Sequence, residues 1–230
     1  MSSTEFYTCL SPEELMRHHI SMAKNYEDFK KEVENDTNYT RRLMMEQSGG
    51  RVESVLRRWK GMQFVSWDMF SGAQILDLAS GSQKTTYFPP IFARCCSVNG
   101  ALVTAFDINY QIEPDGRLFT EVRTEIFSLI EDETLITHPA IQGKTFDIIH
   151  SSNFFSRNPD PNRYSHYFRK TKKRFHTTEK IEDVIRKQCV PILKDGGIID
   201  LDEYDETHNS MVFYRKINGE LHKETAPKYL

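Results

Sequence analysis

The sequence predicts an α/β protein: a doubly wound, mainly parallel seven-stranded sheet that ends in an antiparallel hairpin, with a helical N-terminal cap. Three observations carry this. From residue 73 onward short apolar runs alternate with helix-length stretches: AQILDLA (73–79), ALVTAFDI (101–108), TFDIIHS (145–151) and GIIDLDEY (197–204). Such continuous apolar strands belong to parallel sheets whose two faces are both covered by helices. After the last run come MVFYRKI and ELHKETA, separated by Asn218 and Gly219, the pair that a two-residue hairpin turn prefers. Residues 1 to 72, by contrast, show helical spacing and no strand pattern.

Each element has its own signal. SPEEL offers Ser11 as N-cap, Pro12 at the first helical position and Glu14 three residues after the cap, so a helix should begin there and run through LMRHHISMAKNYEDFKKEVE. A second helical region fits TRRLMMEQ and breaks at Gly49 and Gly50. A third, RVESVLRRWKGMQF, sets Val52, Val55, Leu56 and Trp59 at helical spacing. Within the sheet region a helix entered through TTYFPPIFARCC leads by the turn VNGA into the second strand. There is no internal repeat or flexible linker, so the expected division is a cap over 1–72 and a core over 73–230.

Composition narrows the functional classes. At 230 residues and 38% hydrophobic content the chain can bury a sizeable core. No apolar run approaches the ~18 residues of a membrane span, and the N-terminus is polar where a signal peptide is apolar, which predicts a cytoplasmic protein without a membrane partner. None of the four cysteines sits in a zinc-like spacing, so no metal is expected; Cys95 and Cys96 read as buried thiols on a helix. A net charge of -3 supplies no global attraction to nucleic acid.

The stretch ILDLASGSQ is where chemistry should begin. In a doubly wound sheet ligands bind in the crevice at the carboxyl ends of the strands, and this run places Ser80, Gly81 and Ser82 there. The second run ends on Asp107, whose carboxylate can accept hydrogen bonds from both hydroxyls of a ribose. A dinucleotide fingerprint needs three glycines and the loop has only Gly81; a phosphate-binding GxxxxGK[ST] is also absent. A nucleoside without phosphates fits better.

ILDLASGSQ, VTAFDI, TFDIIHS and ILKDGGIIDLDE, in that order, resemble the class I, Rossmann-like S-adenosylmethionine-dependent methyltransferases over roughly residues 73 to 204. The family pattern (D/E)xGxGxG falls on Asp77, Ala79, Gly81 and Gln83, so only the middle glycine is kept. The resemblance implies S-adenosylmethionine as cofactor, held by Asp77, Ala79, Ser80 and Gly81, with Asp107 on the ribose, Ile108 beside the adenine and Ser151 at the end of the third run. The family's FDxI strand maps to Phe146 through Ile149, and its LKPGG turn to Leu193 through Gly197. For the third strand two readings stay open. Either VRTEIFSLI is that strand and brings Glu125 and Ile126 to the adenine edge, or RLFTEVRTEIFSLIEDE is one amphipathic helix.

Methyl transfer is an in-line displacement, so alignment of nucleophile and methyl group supplies most of the catalysis, and a base is needed only if the acceptor must lose a proton. His150, Asn153 and Tyr164, on or after the third run, are the candidate catalytic groups, with His166 beyond them. The family's amino-methylating branch carries (N/D)PP(Y/F) at this point, and SSNF stands here instead. DLDEYDETH reads as a solvated acidic turn, or else as a grip for a cation. RYSHYFRKTKKRFH, residues 163–176, interleaves basic and aromatic residues and would suit RNA, or it is a helix with a solvated face. Tyr26, Phe29, Trp59 and Trp67 are core aromatics or walls of an acceptor pocket. The resulting expectation is a methyltransferase acting on an O or N atom of a small molecule. An RNA methyltransferase and a non-catalytic cofactor-binding scaffold are the alternatives.

Overall fold

Seven strands form a single sheet in the computed structural model, in the order β3-β2-β1-β4-β5-β6-β7. They span Gln74–Leu78 (β1), Leu102–Asp107 (β2), Thr120–Arg123 (β3), Phe146–His150 (β4), Leu193–Asp205 (β5), Ser210–Ile217 (β6) and Glu220–Pro227 (β7). Helices cover Ile91–Val98 (α1), Ile126–Glu131 (α2) and Thr178–Cys189 (α3). The structure describes residues 70–80, 90–107, 118–124, 126–151, 178–205 and 210–227, together with Arg17, Ile20, Asp28, Lys31, Glu34, Asn35, Thr37 and Trp59. Among these, no helix is long and apolar enough to cross a membrane.

The five strands β3, β2, β1, β4 and β5 pair in parallel. β6 and β7 then return antiparallel, closing on the two-residue turn Asn218-Gly219, where φ is 52° and 85°. Two successive positive φ values are what the twist of a tight hairpin requires. The chain steps outward from β1 to β2 and β3, then crosses back to β4 on the other side of β1. The crevice at the carboxyl ends of β1 and β4 is therefore the switch point of the sheet.

Alternate residues divide the core into two layers. Ile75, Val103, Ala105, Ile148 and Ile198 pack with Phe92, Ala93 and Cys96 of α1 and with Trp59 and Phe70. Leu76, Leu78, Phe106, Ile149, Ile199 and Leu201 pack on the opposite face with Ile126 and Ile130 of α2 and Ile185 and Cys189 of α3. Full burial of one such side chain stabilises by ~1.5–3 kcal/mol, and burial on both faces accounts for runs without polar alternation. Cys95, Cys96 and Cys189 are buried free thiols; burial pushes those of Cys95 and Cys189 up to about 12 and that of Cys96 up as well.

Three sequence expectations change. The third strand is TEVR, ending at Arg123, and a helix starts at Ile126, so VRTEIFSLI is neither a strand nor part of one continuous helix. The segment DLDEY is not a loop: β5 continues to Asp205. The LKDGG segment belongs to the same strand as a bulge, for Phe146 pairs with Leu193 and Ile148 with Ile198. There Asp147 accepts hydrogen bonds from Lys194 Nζ and from the Gln74 backbone N–H, both at 2.7 Å, tying β1, β4 and β5 together where they begin. In the expected cap, Arg17, Ile20, Asp28, Lys31, Glu34, Asn35 and Trp59 are helical, while Thr37 and residues 70–72 are not α-helical; the rest, Ser11 and Glu14 included, lies outside the described residues.

Candidate active site

Three neighbouring apolar strands each carry a buried titratable residue, and the register aligns them. Asp77 of β1 is the partner of His150 on β4, and His150 is the partner of Asp200 on β5. Register partners on parallel strands point to the same face, so the row reads carboxylate, imidazole, carboxylate. His150 Nδ1 lies 2.9 Å from Asp77 Oδ1, a hydrogen bond; its Nε2 lies 4.0 Å from Asp200 Oδ2, too far for one. All three residues are at least 97% buried.

Aromatic rings close the row from the α1 side. The Phe92 ring stacks on the His150 imidazole at a centroid distance of 3.8 Å, and Trp59 stacks on Phe92 at 5.1 Å. Trp59 also meets Phe70 edge-on at 5.6 Å and stands 6.1 Å from His150. This surrounding has an electrostatic consequence. Burial pushes the Asp77 carboxyl up, the charge and hydrogen bond of His150 pull it down, Asp200 pushes it up again, and the net direction is upward. Asp77 Oδ2 finds no hydrogen-bond partner among the described residues.

The crevice begins just past the strand ends. Ala79 follows β1 with φ 56°, the left-handed conformation that glycine adopts without penalty. Ser80 then donates its backbone N–H to the Phe106 carbonyl at 3.0 Å, folding the segment against the end of β2. Asp107 ends β2, half-buried, and its carbonyl accepts the Thr124 N–H at 2.9 Å. Ser151 follows β4; its N–H donates to the Asp200 carbonyl at 2.8 Å, while its buried Oγ has no hydrogen-bond partner among the described residues.

Thus Asp77, Ala79, Ser80, Asp107, His150 and Ser151 all lie at the carboxyl ends of β1, β2 and β4. Ile126 does not join them: it is 3% exposed in the core with Leu76, Leu78 and Phe106, where it has no surface to offer an adenine. His150 is likewise no general base for an acceptor in the crevice, because its ring is covered by Phe92 and its nitrogens face two carboxylates. Gly81, Ile108, Glu125, Asn153, Tyr164, His166 and the basic stretch 163–176 lie outside the described residues. Sequence reasoning missed Phe92 and set Asp200 in a solvated acidic turn, whereas it is buried on β5. The available signal for Asp200 was a single acid inside the apolar run GIIDL, since a carboxylate on a strand buried on both faces must meet a partner.

No model of a known protein family matches the sequence, and none of the curated proteins does. Among solved structures, the fold is similar to a protein of Plasmodium falciparum assigned as a protein-L-isoaspartate O-methyltransferase in complex with S-adenosyl-L-homocysteine, with TM-score 0.40, 14% identity and 69% of this chain covered. It is also similar to the MycE methyltransferase of the mycinamycin biosynthetic pathway, in complex with Mg and SAH, with TM-score 0.41, 12% identity and 74% covered. A further protein-L-isoaspartate O-methyltransferase follows at TM-score 0.34, 13% identity and 71% covered. The chain spans 64%, 44% and 43% of the length of these three, less than two thirds of each.

Proposed function

We propose that this chain is an S-adenosylmethionine-dependent methyltransferase of the class I, Rossmann-like type, acting on an O or N atom of a small-molecule acceptor. One observation carries the reading. The segment after β1 turns through a left-handed Ala79 and docks Ser80 on the end of β2, next to Asp107. A left-handed alanine costs about 1–2 kcal/mol, so a backbone that keeps it holds the turn a glycine would make at that place.

The residues present fit a nucleoside cofactor. Asp107, half-buried at the strand end, has the acceptor capacity for a ribose diol. The Ser151 Oγ, buried and without a hydrogen-bond partner among the described residues, is a polar group at the switch point that a ligand can satisfy. Ala79, Ser80, Gly81, Asp107, Ile108 and Ser151 are the residues assigned to hold it, with the enclosed Asp77 behind them at the end of β1. When bound, S-adenosylmethionine supplies a methyl group on a sulfonium, open to in-line displacement. The work left to the chain is then to orient cofactor and acceptor and to exclude water, which alone contributes most of the acceleration in such displacements.

Isothermal titration with S-adenosylmethionine, S-adenosylhomocysteine and NAD in parallel tests the reading. Binding of the first two at micromolar affinity, about -8 kcal/mol, with none of NAD, is the expected result. Failure of both sulfur nucleosides to bind would mark Ala79 and Gln83 as signs of a lost site and favour a scaffolding protein.

A further inference from the structure

The buried row beneath the crevice has a use that the methyltransferase reading leaves open. His150 joins two strands through its ring, yet the two contacts are unequal: 2.9 Å to Asp77 and 4.0 Å to Asp200. Only the first is a hydrogen bond. Asp77 stands two residues before Ala79 and three before Ser80, so whatever fixes the Asp77 side chain also fixes the rotation of the strand end from which the crevice segment departs. The imidazole cannot drift, because Phe92 stacks on its face and Trp59 stacks on Phe92. The other Asp77 oxygen has no hydrogen-bond partner among the described residues, so His150 supplies the single directional contact these residues give that carboxyl.

We propose that His150 is a positioning residue: it donates its Nδ1–H to Asp77 and thereby holds the segment Ala79–Ser80 in the turned conformation against β2. Asp200 acts on the row by charge and across a gap, without a bond to the ring. The consequence for cofactor affinity rests on the methyltransferase reading; the hold on the segment does not.

Two substitutions separate the ring nitrogens. An asparagine amide nitrogen occupies the place of Nδ1, whereas a glutamine amide nitrogen reaches the place of Nε2. In the full-length protein, the imidazole nitrogens of His150 are read by NMR, together with exchange of the Ser80 amide, which bonds the Phe106 carbonyl. The expected result is a protonated Nδ1 in the native protein. Ser80 exchange should be about tenfold faster in His150→Phe and His150→Gln, and about native in His150→Asn, with amides of the distant strand β7 unchanged in all three. A bare Nδ1, or equal exchange in the asparagine and glutamine variants, would overturn the proposal. If His150→Phe does not fold, the asparagine and glutamine pair decides alone. Titration of the same proteins with S-adenosylhomocysteine keeps the two readings apart. Affinity that follows Ser80 exchange supports both, while absent binding in the native protein with the NMR pattern intact removes the cofactor reading only.

Discussion

At the scale of the residue, two carboxylates at the carboxyl ends of neighbouring strands have opposite duties. Asp107 is half-buried at the end of β2, and with the ribose hydrogen bonds assigned to it Asp107→Ala should weaken S-adenosylmethionine binding by ~1.5–3 kcal/mol, the range for hydrogen bonds to a charged group. Calorimetric titration reads this directly, and unchanged affinity would remove Asp107 from the ribose. Asp77 is enclosed, and its carboxyl is raised from 3.8, first by burial. The native state therefore holds a proton that the unfolded state releases. Stability from this group is fully present below 3.8 and is lost as pH rises through the higher native value. The groups around it are His150, which opposes the rise, and Asp200, which adds to it; Cys96 of α1 also lies within its field. Asp77→Asn removes the buried charge and leaves a carbonyl to accept the His150 Nδ1–H. The variant should thus gain stability relative to the native protein as pH increases through that window, measured by thermal unfolding at a series of pH values. A difference that does not vary with pH would show that Asp77 is not charged at the cost of burial.

At the scale of the element, the β5 bulge shows how one glycine is required by space and its neighbour by backbone angle. A Cβ on Gly197 would stand 2.8 Å from the Lys194 carbonyl oxygen, 2.9 Å from Leu193 Cδ1 and 3.0 Å from the Asp147 carbonyl oxygen. Two of those atoms are backbone and cannot rotate away. Gly196 has open space but φ +81°. Gly197→Ala should therefore destabilise by ~1–3 kcal/mol through overpacking, and Gly196→Ala by about 1 kcal/mol or slightly more through the left-handed conformation alone. Urea denaturation of the two variants compares them. Because the bulge joins β4 to β5 next to the Lys194–Asp147 bond, the larger loss should be felt across both strands.

At the scale of the whole molecule, Trp59 connects the first third of the chain to the sheet. It is 2% exposed and touches Phe70, Phe92 and His150, so a residue far from the core in sequence covers the buried polar row. Truncation to alanine leaves a cavity of indole size and should cost ~3–5 kcal/mol. Against a typical total of ~5–15 kcal/mol that is a large share of the protein's stability. Chemical denaturation of Trp59→Ala measures it; a loss below about 1 kcal/mol would mean that the aromatic cluster can close without the indole.

The sequence by itself determined the sheet. Four parallel strands, β1, β2, β4 and β5, contain the apolar runs, and Asn218-Gly219 marks the hairpin of β6 and β7, because burial on both faces and positive φ impose residue types that can be read locally. β3 escaped such reading: TEVR is four residues long, half-buried at the sheet edge, and runs within two residues into α2, so neither period has room to develop. That Asp77, Ala79, Ser80, Asp107 and Ser151 stand at or next to strand ends was legible, because a strand end is a place in the sequence. What His150 and Asp200 do was decided only by the tertiary structure. Their meeting with Asp77 depends on the register of three strands distant in the chain, and the closing of Phe92 and Trp59 over them depends on how helices pack on that face. Contacts across 73 residues, such as that of Asp77 with His150, leave no period in the sequence; only the requirement that a buried charge find a partner hints that they exist.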